Sequence, residues 1–156
     1  MHQGLAAWGA TGAEVVRPYV LGLLAEAHAK VGQQEAGLTL LAEALAGVND
    51  TGERRWEPEL YRLKGALLLV RSEEYPAEAE TCFRQALEIA RRQQAKSWEL
   101  RAAISLCRLW QSQGKRAEAY ELLAPVYGWF TEGFDTADLQ EAKALLEELA
   151  GEHGRA

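Results

Sequence analysis

Apolar residues recur at three- and four-residue spacing along nearly the whole chain. No segment sustains the two-residue alternation of a half-buried strand. Ala, Leu and Glu dominate, and only four prolines interrupt them. The pattern predicts an all-α protein built from helix pairs. The first helix of each pair is expected over 15–31, 56–72 and 97–113. The second is expected over 33–49, 76–93 and 116–131, and a last helix over 136–150. Pro18, Pro58 and Pro76 fall in first turns, where a missing N–H costs little. Glu57 and Glu59 lie at one helix start and Arg91 and Arg92 at a helix end, as the helix dipole favours.

The chain also repeats itself. Trp56-Glu57 recurs as Trp98-Glu99, 42 residues on, and Thr11-Gly12 as Thr51-Gly52, 40 residues on. Ala79, Phe83 and Ala86 align with Gly37, Leu41 and Ala44, and again with Ala119, Leu123 and Val126. Each preceding helix carries a small residue at a matching place: Ala25, Gly65 and Cys107. Two antiparallel helices approach closest where side chains are smallest, and a small residue can receive a bulky one from the partner. One hairpin cannot cover its own apolar face, so hairpins stack. The expected architecture is a right-handed α-solenoid of about three stacked antiparallel hairpins, closed by a C-terminal capping helix. Gly4–Gly12 lines up with Ala44–Gly52. The chain is therefore expected to begin inside a repeat, as a fragment of a longer array or the end of a larger protein. The expected division is 1–12 as the tail of a preceding second helix, 13–150 as the repeat domain and 151–156 as a disordered tail.

Composition narrows the function. The chain is 48% hydrophobic and 26% charged, with a net charge of −6. Phosphate binding needs a concentrated positive surface, so nucleic acid is not an expected partner. No apolar run reaches the roughly 20 residues that span a bilayer. No signal peptide is expected, because Met1-His2-Gln3 leads into a Gly/Ala-rich segment. Cys82 and Cys107 sit in helical patterns as buried reduced thiols, and the expected address is cytoplasmic.

The small–x3–aromatic–x2–Ala pattern of Ala79, Phe83 and Ala86 resembles the tetratricopeptide repeat. The period of 40–42 is longer than the usual value of about 34. Long repeats of this kind resemble the helical C-terminal regions of bacterial signalling ATPases. These include maltose-activator-type regulators and ATPase–adenylate cyclase fusions. The stretches "RPYVLGLLAEAHAKVGQ" and "LLAPVYGWFTEGFDTADLQEAKALLEEL" look most like the terminal repeats of the cyclase-linked group. The resemblance implies that any ATPase or cyclase module lies outside this chain.

Chemistry of its own is not expected. "GATGAE" lacks the lysine and the strand of a phosphate loop. His2, His28 and His153 are widely spaced, and no His or Cys pair has ligand spacing, so no metal and no cofactor is expected. His28 reads as a half-buried structural histidine. Cys107 with His28 is the conceivable nucleophile–base pair, and nothing in the sequence brings the two together. Glu73-Glu74 and Glu147-Glu148 read as solvated faces.

Tetratricopeptide geometry implies that first helices line a groove. By offset from Ala25, Gly65 and Cys107, the groove-facing positions are Tyr19, Glu26 and Lys30, then Glu59, Arg62, Ala66 and Leu69, then Arg101, Ile104, Arg108 and Gln111. The candidate partner-binding residues are Tyr19, Glu26, Glu59, Arg62, Arg101 and Arg108. The arginines would form a positive strip able to hold peptide carboxylates, or would pair with nearby glutamates. The expected function is a noncatalytic protein-interaction or sensory scaffold. Its partner is a protein or peptide, which can be another domain of the same polypeptide. The alternative is a metabolite-sensing repeat domain that regulates an attached module. In the aromatic stretch, Asp135 is expected to cap the last helix and Phe134 to staple onto Leu139. Tyr127, Trp129 and Phe130 are expected to pack beneath that cap, and Pro125 to kink the helix before it.

Overall fold

A computed structural model of the chain describes residues 17–51, 54–71 and 76–153. Among these residues there are seven α-helices and no strand. They are α1 (Arg17–Lys30), α2 (Gln34–Thr51), α3 (Glu57–Arg71), α4 (Pro76–Gln93), α5 (Lys96–Ser112), α6 (Arg116–Gly128) and α7 (Ala137–His153). Each expected helix is present. The expected helix tail in 1–12 and the lengthened turn before Pro76 lie outside the described residues. α7 runs to His153, past the end at 150 that the periodicity predicts.

α1–α2, α3–α4 and α5–α6 form three antiparallel hairpins, and each helix also packs on its successor. α1, α3, α5 and α7 lie side by side in one layer, with α2, α4 and α6 in the other. This is the solenoid-like stacking and the terminal cap that the repeats predict.

The small residues aligned by sequence meet inside each hairpin. A Cβ on Gly37 would lie 2.8 Å from the Ala25 carbonyl oxygen. A Cβ on Gly65 would lie 2.6 Å from the Phe83 ring and 3.1 Å from the Ala79 carbonyl oxygen. In the third hairpin the Cys107 thiol donates to the Ala119 carbonyl at 2.9 Å. Backbones this close leave room for hydrogen or a thiol, which is why the repeat keeps small residues there.

The connections follow one design. Gly32, Gln94 and Gly114 have φ of 84°, 56° and 79°. After each, a backbone N–H reaches five residues back: Gln33 to His28, Ala95 to Ala90 and Lys115 to Trp110, at 2.8, 2.9 and 2.8 Å. This left-handed turn satisfies the last carbonyls of a helix and reverses the chain.

The core forms two clusters. One joins α1, α2 and α3 around Leu21, Leu41 and Leu60, and the other joins Leu68 of α3 to α4–α7 around Phe83, Leu106 and Leu145. Leu38 packs against both. The α7 stripe of Leu139, Ala142, Leu145 and Leu149 is buried, so the last helix covers an apolar face that α5 and α6 would otherwise expose.

Candidate binding groove

The side-by-side layer of α1, α3, α5 and α7 encloses two adjoining cavities. The larger, about 420 Å³, is walled by Glu26, Arg62, Arg101, Arg108, Asp138 and Glu141. The smaller, about 160 Å³, is walled by Tyr19, Trp56, Glu59, Leu23, Leu60 and Leu63, with Glu26 and Arg101 shared between the two. All six candidate residues, Tyr19, Glu26, Glu59, Arg62, Arg101 and Arg108, therefore line one channel. Of the other groove-facing positions, Ile104 is buried and still lines the larger cavity, Lys30 pairs with Glu26 at 3.4 Å and the Gln111 amide donates to Glu148 at 3.2 Å.

The positive strip does not survive in three dimensions. The Arg62 guanidinium donates to Glu59 Oε1, its Nε at 2.8 Å. Arg101 Nε donates to Asp138 at 2.9 Å and its Nη1 to the same Glu59 oxygen at 3.4 Å. Arg108 Nε donates to Glu141 at 2.9 Å. Burial opposes the charge on Arg101, but Asp138 and Glu59 outweigh it and hold the guanidinium pKa above its ordinary value. The arginines are thus neutralised, as the pairing alternative anticipates. Asp138 and Glu141 come from the cap, which belongs to no complete repeat, so offsets along the repeat do not reach them.

Glu59 is the unusual member. Its side chain is 6% exposed, and all three guanidinium contacts fall on Oε1. Oε2 is buried with no hydrogen-bond partner. In the wall of the same smaller cavity, Tyr19 stacks on Trp56 with centroids 4.4 Å apart, and Trp98 meets Trp56 edge-on at 6.1 Å. The repeated Trp-Glu pair thus brings equivalent tryptophans of neighbouring hairpins into contact. Their glutamates are both buried: Glu57 pairs with Arg54 at 2.9 Å, and Glu99 with Arg91 at 3.1 Å and Lys96 at 3.2 Å.

Elsewhere the reactive groups are held in structural roles. Cys82 and Cys107 are buried and free of disulfides. Burial pushes the Cys107 thiol up to about 12, so it stays protonated. His28 Nδ1 lies 2.6 Å from Gln33 Oε1, across its own turn. Among the described residues no three His, Cys, Asp or Glu side chains cluster as metal ligands, and no helix is long and apolar enough to cross a membrane.

The aromatic stretch is corrected in two respects. Trp129 is 57% exposed, edge-on to Phe130 at 5.2 Å and beneath Lys96 at 5.2 Å, so it is not packed under the cap. Tyr127 and Phe130 do pack against the core. Thr136, not Asp135, caps α7: its hydroxyl accepts the Leu139 N–H at 3.4 Å. Phe134 consequently sits one place too early for the staple. It lies beside Tyr127, with centroids 5.9 Å apart.

No family model matches the chain, and no curated protein matches it either.

Proposed function

We propose that this chain is a noncatalytic, tetratricopeptide-like interaction scaffold whose groove holds a segment of a protein partner or of another domain of its own polypeptide. The observation that carries the reading is the convergence of polar side chains from α1, α3, α5 and α7 on one channel. Layered repeats build such surfaces without a dedicated pocket. The buried, protonated Cys107 and the turn-bound His28 offer no activated nucleophile, which supports a noncatalytic role. By resemblance, the partner module is a bacterial signalling ATPase or adenylate cyclase. Two buried unpaired thiols support a cytoplasmic address.

The test is a pull-down with the chain and with the Arg62→Glu/Arg108→Glu variant, both checked for helicity. The expected result is a partner captured by the first and lost by the second. Equal capture by both, and by a Ser105→Trp variant that fills the larger cavity whatever the partner's charge, overturns the reading. A small metabolite is the second reading, because the larger cavity falls within the range of about 300–1,000 Å³ typical of small-molecule sites. Its charged walls count against it. A metabolite screen that raised the melting temperature would favour it.

A further inference from the structure

We infer that the cavity beside Glu59 is a receptor for one cationic side chain, a lysine or arginine carried by a basic peptide segment. This rests on the scaffold reading and reverses the charge that the arginines alone would imply.

The three groove arginines already have carboxylate partners. Glu59 has acceptor capacity left over. An ionised carboxylate offers about four lone-pair sites. The guanidinium groups of Arg62 and Arg101 draw on Oε1, while Oε2 is buried and unpaired. Leaving a charged acceptor unsatisfied in the interior is costly, so a donor brought to it gains more than an ordinary surface contact would. An ammonium or guanidinium supplies that donor as a charge-assisted hydrogen bond, stronger than one from a neutral group. Its approach needs a small opening of the wall, and Leu23, 48% exposed, stands at that wall.

The rest of the wall suits the stem of such a side chain. Leu60 and Leu63 are buried apolar surface, and the Tyr19–Trp56 stack adds aromatic surface. Long basic side chains lay their methylenes on such surfaces, and aromatic rings attract cations. The volume of about 160 Å³ is well below that of a drug-sized ligand site, which matches a single side chain of something larger. Glu26, paired with the exposed Lys30 at 3.4 Å, adds a second carboxylate to the wall. The net charge of −6 adds long-range attraction for a basic segment.

The experiment pans a randomised heptapeptide library on the 156-residue chain and, in parallel, titrates n-butylguanidinium and n-butanol by NMR. Enriched peptides are expected to share one Lys or Arg. Replacing that residue with norleucine or citrulline should weaken binding on the order of tenfold. Glu59→Gln should weaken it as much. Leu23→Trp, which covers the mouth and leaves every ion pair intact, should do the same if Glu59→Gln fails to fold. Peptides that lack a basic position, survive both variants and are lost with Arg62→Glu/Arg108→Glu would overturn this inference and leave the scaffold standing. Shifts from butylguanidinium but not butanol, with no peptide enriched, would overturn the peptide source and the scaffold together. Absence of both signals would overturn the cation site as well.

Discussion

At Gly65 the helix gives up intrinsic stability for closeness. A Cβ there would meet the Phe83 ring at 2.6 and 2.9 Å, and Phe83 is buried with nowhere to move. Gly65→Ala should therefore lower stability by about 1–2 kcal/mol, although alanine is the better helix former. Gly47 makes the contrast: a Cβ there meets nothing within 4 Å, and Gly47→Ala should raise stability by about 0.5–1 kcal/mol. Urea titration of the two variants checks both signs. Glu80 sets a pH dependence. The Trp110 indole N–H at 3.0 Å, opposed by burial and joined by the Arg84 guanidinium at 3.0 Å, holds its carboxyl below the usual 4.5. The folded pKa is lowered, so the stabilisation is present above 4.5 and is lost as pH falls through the folded value. Glu80→Gln should be less stable than the parent by about 1 kcal/mol at neutral pH, and the gap should shrink below pH 4.5. Urea midpoints at stepped pH measure it.

At the scale of the element, most helices start and stop where their own residues dictate, and the exceptions cluster around α6 and α7. Pro125 removes one intrahelical bond, and α6 ends at Gly128, not at 131. Its last turn tightens, with Trp129 N–H on the Val126 carbonyl at 3.3 Å and Phe130 N–H on Tyr127 at 3.1 Å. The earlier ending swings Trp129 outward. Thr136 then starts α7, because its hydroxyl is placed to meet the third helical N–H. Asp135 and Thr136 are both good caps by type, and choosing between them needs the backbone path. Thr136→Ala should cost about 1 kcal/mol, while Asp135→Ala should change little. Thermal melts of the two variants separate the assignments.

Across the whole molecule, Arg101 ties the last hairpin both to the cap and to the hairpin before it. It joins Asp138 on α7 and Glu59 on α3, 37 and 42 residues away. Removing it leaves the buried Glu59 with Arg62 alone, whereas removing Arg108 strands only the half-exposed Glu141. Arg101→Met should destabilise by about 1–3 kcal/mol and Arg108→Met by less than about 1 kcal/mol. Equal losses in chemical denaturation would show that Glu59 does not depend on its second cation.

By itself, the sequence determined the local and the periodic. Helix spacing and turn residues act within a few positions, and the repeat of small residues at Ala25/Gly37, Gly65/Ala79 and Cys107/Ala119 encodes hairpin contact directly. Six groove positions could be read by offset for the same reason, since equivalent residues of stacked hairpins must face the same way. The tertiary structure alone decided the charge of that groove. Asp138 and Glu141 come from a cap outside the repeat, so no periodic argument reaches them. It also decided which oxygen of Glu59 is left without a partner, because that depends on where two guanidinium groups from different helices converge. Short-range periodicity sets backbone and register; ion pairing depends on distances between side chains far apart in the chain.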